Sequence, residues 1–136
     1  VTLTHQEIFQ RYVHAGPMSR DPDALAELFT EDGVFEAPLV PEGHALPRRM
    51  VGREEIRTGL KAYYQRGSDN YGTVNTQESR FVLHETADPA VFIVELDTVL
   101  DAPDGRRTTM SLVQIFRTRD NLITHLRDYF PTPQAT

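Results

Sequence analysis

Cysteine is absent from the 136 residues, so disulfides, thiolate nucleophiles and cysteine-ligated metals are excluded by composition. Long apolar runs are missing too. The first twenty residues carry Glu7, Arg11 and several other polar side chains, so neither a signal peptide nor a membrane span is expected, and the expected location is the cytoplasm. Basic residues are outnumbered, 14 Lys and Arg against 20 Asp and Glu. The resulting net charge of -6 repels nucleic acid and anionic membranes and argues against both as partners. No glycine-rich phosphate loop, GxSxG elbow or dinucleotide fingerprint occurs, so no cofactor is expected. The histidines, His5, His14, His44, His84 and His125, are scattered without ligand spacing, and no metal site is predicted. Repeats, linkers and low-complexity segments are lacking as well.

The chain that remains has the length of one domain, residues 1–136, with a hydrophobic share of 39% and a charged share of 25%, as in ordinary globular proteins. Thr4 and Glu7 form a capping box ahead of Ile8, Phe9, Tyr12 and Val13 at helical spacing, so a first helix runs to about residue 15. Asp21 as N-cap with Pro22 at the first helical position starts a short second helix, expected to pair antiparallel with the first. A short strand follows over residues 33 to 37, then a loop rich in proline and glycine over residues 38 to 52, read as a rim. A third helix over residues 53 to 65 buries Ile56, Leu60 and Tyr63 or Tyr64, with Gly67 as its stop.

The period then changes. Four β-rich runs, residues 74 to 85, 91 to 100, 107 to 118 and 122 to 130, are separated by "TADPA", "DAPDG" and "RDN" and read as an antiparallel meander. Helices first and sheet later is the α+β pattern, with helices covering one face of a curved sheet.

The polar residues on apolar strand faces are the candidates for chemistry. In "LITHLRDYF" the alternation puts Asp128 on one face with Leu122, Leu126 and Phe130, while Arg127 points the other way. A buried acid must find hydrogen bonds, find a cation or keep its proton, and a carboxyl tuned toward neutrality serves as general acid or base. Capture by backbone amides at a sheet edge is the ordinary alternative. A three-residue loop at Arg119, Asp120 and Asn121 would set Leu112 opposite Asp128 and Gln114 opposite Leu126, gathering both polar residues with Met110, Phe116 and Phe130. A two-residue loop would separate them. In "VFIVELDTVL" Glu95 and Asp97 share a face with Val91, Ile93 and Val99, and they line a pocket, meet a partner or pair with an arginine such as Arg107. Tyr12, on the inward stripe of the first helix, could donate to a ligand oxygen.

Together, "LTHQEIFQRYV", "LFTEDGVFEAP", "VGREEI" and "LITHLRDYF" resemble the nuclear transport factor 2-like superfamily over nearly the whole chain, and within it the SnoaL-like proteins, which include polyketide cyclases. The resemblance implies a cone-shaped α+β fold with three N-terminal helices on a curved antiparallel or mixed sheet. It implies a cofactor-independent enzyme, a cyclase or isomerase, acting on a small, apolar, carbonyl-bearing, polyketide-like metabolite. Asp128 falls where the SnoaL-type cyclases keep their catalytic aspartate. Asp97 coincides with the second acid of limonene epoxide hydrolase, although that enzyme's bridging arginine is replaced by Glu95 and its water-positioning tyrosine and asparagine by Phe35 and Ala37. Tyr12 matches the oxyanion tyrosine of ketosteroid isomerase, whose two acids fall on Ala37 and Gln114.

The candidate catalytic residues are therefore Asp128, Tyr12, Asp97 and Gln114. Phe35, Leu39, His44, Met110, Leu112 and Phe116 are expected to shape the substrate cavity. Epoxide opening by Asp97 and Asp128, and a non-catalytic binding or dimerisation module, are the alternatives. A homodimer through the outer sheet face, using Ile93, Val99, Val113 and Ile115, is the implied assembly.

Overall fold

A computed structural model describes residues 1–66 and 72–131. The stop expected at Gly67 lies outside the described residues.

Helix α1, His5–Val13, starts with the expected capping box: Thr4 Oγ1 accepts from the Glu7 amide and Glu7 Oε1 from the Thr4 amide. Its buried face is Ile8, Phe9 and Tyr12. The chain then widens into a π-helical turn, His14–Met18, containing Pro17. A proline inside an α-helix lacks its N–H and presses on the carbonyl four residues back, and a wider turn relieves both problems. Asp21 caps α2, Pro22–Ala26, by accepting from the Ala24 amide at 3.0 Å. This helix packs mainly on α3, Arg53–Gln65, and on the π-helical turn, rather than forming the expected pair with α1.

The sheet is mixed. Its strands are β1 (Phe29–Glu36), β2 (Arg49–Val51), β3 (Thr73–Val74), β4 (Arg80–Glu85), β5 (Val91–Asp101), β6 (Arg107–Arg119) and β7 (Leu122–Tyr129). The order is β2-β1-β7-β6-β5-β3, with β4 also on β5, and β1 runs parallel to β7. The meander reading thus holds from β4 to β7, while the run expected over residues 74 to 85 divides into β3 and β4, both antiparallel to β5. The rim loop carries β2 and turns Val40 and Leu46 into the core.

The β6–β7 connection departs from expectation in an instructive way. Asp120 and Asn121 both have positive φ, 52° and 68°, and Arg119 pairs with Leu122, a two-residue turn of the kind that suits the right-handed twist of a hairpin. That turn alone would put Asp128 on the opposite face from Gln114. A β-bulge cancels the reversal: Thr118 pairs with Ile123 and Arg117 with His125, leaving Thr124 as the extra residue. Asp128 therefore stands directly opposite Gln114 rather than opposite Leu112, and Ile123 takes the inward position expected of Leu122.

Inward-facing residues of the sheet divide into two zones. At one end Phe92, Val94, Phe116, Ile123 and Leu126 are fully buried, and α1 lies over Phe92 and Phe116, which stack on each other at 4.8 Å, with Tyr12 edge-on to Phe116 at 5.3 Å. At the other end the strands continue beyond the cover of α1. Gln114 and Asp128 pair at the boundary.

Candidate functional site

Beyond that boundary lies a cavity of about 250 Å³. Its sheet wall is Leu96, Thr98 and Leu100 from β5, Met110, Leu112 and Gln114 from β6, and Asp128 and Phe130 at the end of β7. Tyr12 from α1 and Leu60, Tyr63 and Tyr64 from α3 face them. Phe35, His44, Leu46 and Arg20 also line it. Alternation along each strand sends every second side chain inward, and the end of α1 leaves these uncovered.

Asp128 is 7% exposed, Gln114 3% and Tyr12 4%. Burial pushes the Asp128 carboxyl up from 3.8 to about 7, and a hydrogen bond from the Gln114 side-chain amide pulls the other way. Asp128 Oδ1 and Gln114 Oε1 have no partner among the described residues. Orphaned buried acceptors are costly, and here both line a cavity that a guest can enter. Burial also pushes the Tyr12 phenol well above its usual range, with the Asp128 charge adding to the effect, so Tyr12 remains a neutral O–H donor. Tyr64 is pushed up to about 12, chiefly by burial.

Of the residues expected at the site, Asp128, Tyr12 and Gln114 meet at the inner end, and Phe35, His44, Met110 and Leu112 line the walls. Three do not take part. Asp97 points to the outer face, exposed, where its Oδ1 accepts from Ser111 Oγ at 2.6 Å, because alternation turns its neighbours Leu96 and Thr98 inward. Leu39 is 57% exposed and stands outside the cavity, since the rim loop turns Val40 inward instead. Phe116 is fully buried beneath Tyr12 and serves as core. Glu95 is likewise exposed and pairs with His84 at 2.5 Å. His5 pairs with Glu85 at 2.5 Å and His125 with Glu36, so three of the five histidines are hydrogen-bonded to glutamates away from the cavity.

Sequence reasoning missed Arg20, Tyr63, Tyr64 and Thr98 as cavity residues. Tyr63 and Tyr64 read as core because α3 is amphipathic, and the sequence gives no sign of the cavity that they line. Thr98 was legible: it alternates with Leu96 and Leu100 on the inward face.

Comparison with known proteins places this geometry in context. The chain is 28% identical over 116 residues, 83% of its length and 72% of the relative's, to the uncharacterised protein YesE of Bacillus subtilis (strain 168). Among solved structures, a candidate isomerase from Bacillus subtilis superposes with a TM-score of 0.71 at 24% identity, covering 93% of this chain and 85% of that one. TerC, co-crystallised with polyporic acid, gives 0.64 at 16% identity over 93% and 90%. Likeness at these identities establishes the shared fold. The SnoaL-like domain profile matches residues 9–126, and the chain accordingly belongs to the SnoaL-like domain family of the nuclear transport factor 2-like superfamily.

Proposed function

We propose that the protein is an acid–base catalyst acting without a cofactor on a small, apolar, carbonyl-bearing, polyketide-like molecule, as a cyclase or isomerase. The observation that carries this reading is Asp128: a buried carboxyl with an unpartnered oxygen on the wall of an apolar cavity. Its proton affinity, near neutrality, suits both removal and return of a proton. In its ionised form Asp128 takes a proton from the carbon beside the carbonyl, and negative charge moves to the carbonyl oxygen. Tyr12 O–H donates to that oxygen, and its high pKa keeps the proton on the phenol until it is needed. Gln114, whose amide donates to Asp128, holds the base in place. The enolate then attacks an internal electrophile or takes the proton back at another carbon.

Epoxide opening by two acids loses support, because Asp97 lies on the other face of the sheet from Asp128. A purely structural module would favour a filled interior and an Asp128 tied to backbone amides, and neither is observed. TerC shares the fold and was co-crystallised with polyporic acid, which supports a small organic guest for this cavity too. We also propose a homodimer through the outer sheet face, where Val113 is exposed beside the paired Ile93 and Ile115. Val99 is covered within the chain, where its backbone meets Asn75 and Ser79, and contributes little to such a face. A monomer on sedimentation at micromolar concentration would remove that part of the proposal.

The direct test of catalysis uses 2-tetralone, a bicyclic ketone with acidic protons beside its carbonyl, in D2O. Deuterium incorporation followed by NMR is expected to be accelerated by the native protein and lost in Asp128→Asn with the fold intact by circular dichroism. An undiminished rate in that variant rejects the mechanism.

A further inference from the structure

Among the described residues, the sheet wall of the cavity carries polar side chains at two stations. Gln114 and Asp128, paired across β6 and β7, form one. Thr98, opposite Met110 across β5 and β6, forms the other. The inward side chains around Thr98 are Leu96, Leu100, Met110 and Leu112, all apolar.

Strand register sets the separation of the two stations. Met110 and Gln114 stand four residues apart on β6. At about 3.3 Å per residue, the row that holds Thr98 lies about 13 Å along the strands from the row that holds Asp128.

The fold needs a β-branched side chain at position 98 and nothing more. Valine has nearly the shape of threonine and suits a strand equally well, so the hydroxyl is not there for the strand. Hydrogen bonding within the chain does not account for it either. No described residue partners the Thr98 hydroxyl, and the group is not sealed inside the protein, since Thr98 is half-buried on the cavity lining. A hydroxyl both donates and accepts. With hydrocarbon on every side of it along the wall, it suits a neutral oxygen substituent better than a charged one.

We propose that Thr98 determines specificity: its hydroxyl holds a neutral oxygen substituent, a hydroxyl or a carbonyl, on the edge of the ligand remote from the carbonyl that Asp128 works on. This deepens the acid–base reading and rests on it for which end of the ligand reacts. Cavities of about 150 Å³ hold benzene, and by that measure 250 Å³ holds a body of about two fused rings. Such a ketone with an oxygen on its far edge measures about 8 Å between its oxygens, and a hydrogen bond of about 2.8 Å at each end extends its reach to about 13 Å. That reach matches the rise between the two rows.

The probes are 6-hydroxy-2-tetralone and its near-isostere 6-fluoro-2-tetralone, which keeps the carbonyl and lacks the far hydroxyl. Their affinities are compared by isothermal titration calorimetry at pH 7 in the native protein and in Thr98→Val. The preference for the hydroxyketone is expected to fall about three- to tenfold in Thr98→Val, the range of one net hydrogen bond, and Thr98→Ser should retain it. In the native protein, nuclear Overhauser effects should connect the ring protons beside the hydroxyl to the Thr98 methyl group. A preference unchanged in Thr98→Val, a hydroxyl-bearing edge that contacts other side chains but not Thr98, or no binding of the hydroxyketone up to millimolar concentration each overturn the proposal. The two readings fail separately, because none of these measurements depends on turnover. Tetralone exchange with an unchanged preference removes only the Thr98 site, and a Thr98-dependent preference without exchange removes only the acid–base chemistry.

Discussion

Replacing Asp128 by asparagine should change not only turnover but the way stability depends on pH, and that second effect needs no knowledge of the substrate. The folded carboxyl titrates at about 7 against 3.8 for the free group. Below pH 3.8 both folded and unfolded chains hold the proton. Between about pH 4 and 7 the unfolded chain has lost it while the folded chain keeps it, so the unfolded state binds fewer protons and stability falls as pH rises. Above about 7 both are ionised and the loss levels off. The gap of about three pH units, at about 1.4 kcal/mol each, amounts to roughly 4 kcal/mol, of which about 3 kcal/mol falls between pH 4.5 and 8. That is a large share of the 5–15 kcal/mol typical of a domain.

Asparagine has nearly the shape of aspartate and carries no charge to desolvate. Urea unfolding of the native protein and Asp128→Asn at pH 4.5 and pH 8 isolates the effect, because every other titrating group contributes equally to both proteins and cancels in the double difference. The stability of the variant relative to native should rise by about 3 kcal/mol between the two pH values, so that the variant is the more robust protein at pH 8. The same charge that makes the site useful is then measured as its cost to the fold. Parallel profiles for the two proteins would refute the reasoning, since they would mean that Asp128 is ionised throughout and sits in a wetter place than its 7% exposure suggests.

Tyr12→Phe keeps the ring packed against Phe116 and removes only the phenol donor, so tetralone exchange should slow on the order of a hundredfold with the melting temperature little changed; equal rates would take Tyr12 out of the mechanism. Asp97→Asn, on the outer face, should leave the exchange rate unaltered and stability within about 0.5 kcal/mol by urea unfolding, whereas a tenfold drop in rate would restore a two-acid site. Phe116→Ala should lose about 3–5 kcal/mol in the same measurement, because Phe116 is core and leaves a cavity behind; a loss under about 1 kcal/mol would make it a ligand wall after all.

Much of the architecture was legible because it rests on local rules. The capping box at Thr4, the Asp21-Pro22 start and the limits of α3 each depend on a few adjacent residues. The parallel neighbourhood of β1 and β7 was not legible from pattern alone, because these strands are separated by nearly the whole chain and alternation does not reveal which strand lies beside which. Nor was the packing of α2, whose five residues bury only Leu25 and Ala26 and so give little sign of the partner they meet. Asp97 failed for a related reason. Both faces of "VFIVELDTVL" are apolar enough to be inward, and pairing with the rest of the sheet decides between them.

The β6–β7 hairpin shows why a site can be read correctly through an incorrect register. Asp120-Asn121 makes a two-residue turn, which by strict alternation would turn Asp128 away from Gln114, and a three-residue loop avoids that outcome on paper. The chain avoids it with an extra residue at Thr124. The apolar pattern constrains only which side chains must finish inward. It fixes Leu126, Asp128 and Phe130 on one face, and leaves free whether the odd residue is spent in the turn or in a bulge. The difference matters for chemistry. The bulge moves Asp128 two residues along β6, from Leu112 to Gln114, and so gives the acid an amide donor where the other arrangement would have given it only a hydrocarbon wall. Against such a wall, with no donor to favour the ionised form, the carboxyl would keep its proton to still higher pH and be a poorer base at neutrality. Deleting Thr124 should therefore leave the site in place, because Thr118–Ile123 then runs without interruption into Arg117–His125 and on to Gln114–Asp128. The stability gap between this variant and its Asp128→Asn partner should keep the pH dependence of the native pair between pH 4.5 and 8. A gap that no longer opens in that window would mean that the bulge itself, and not the pairing with Gln114, decides how Asp128 holds its proton.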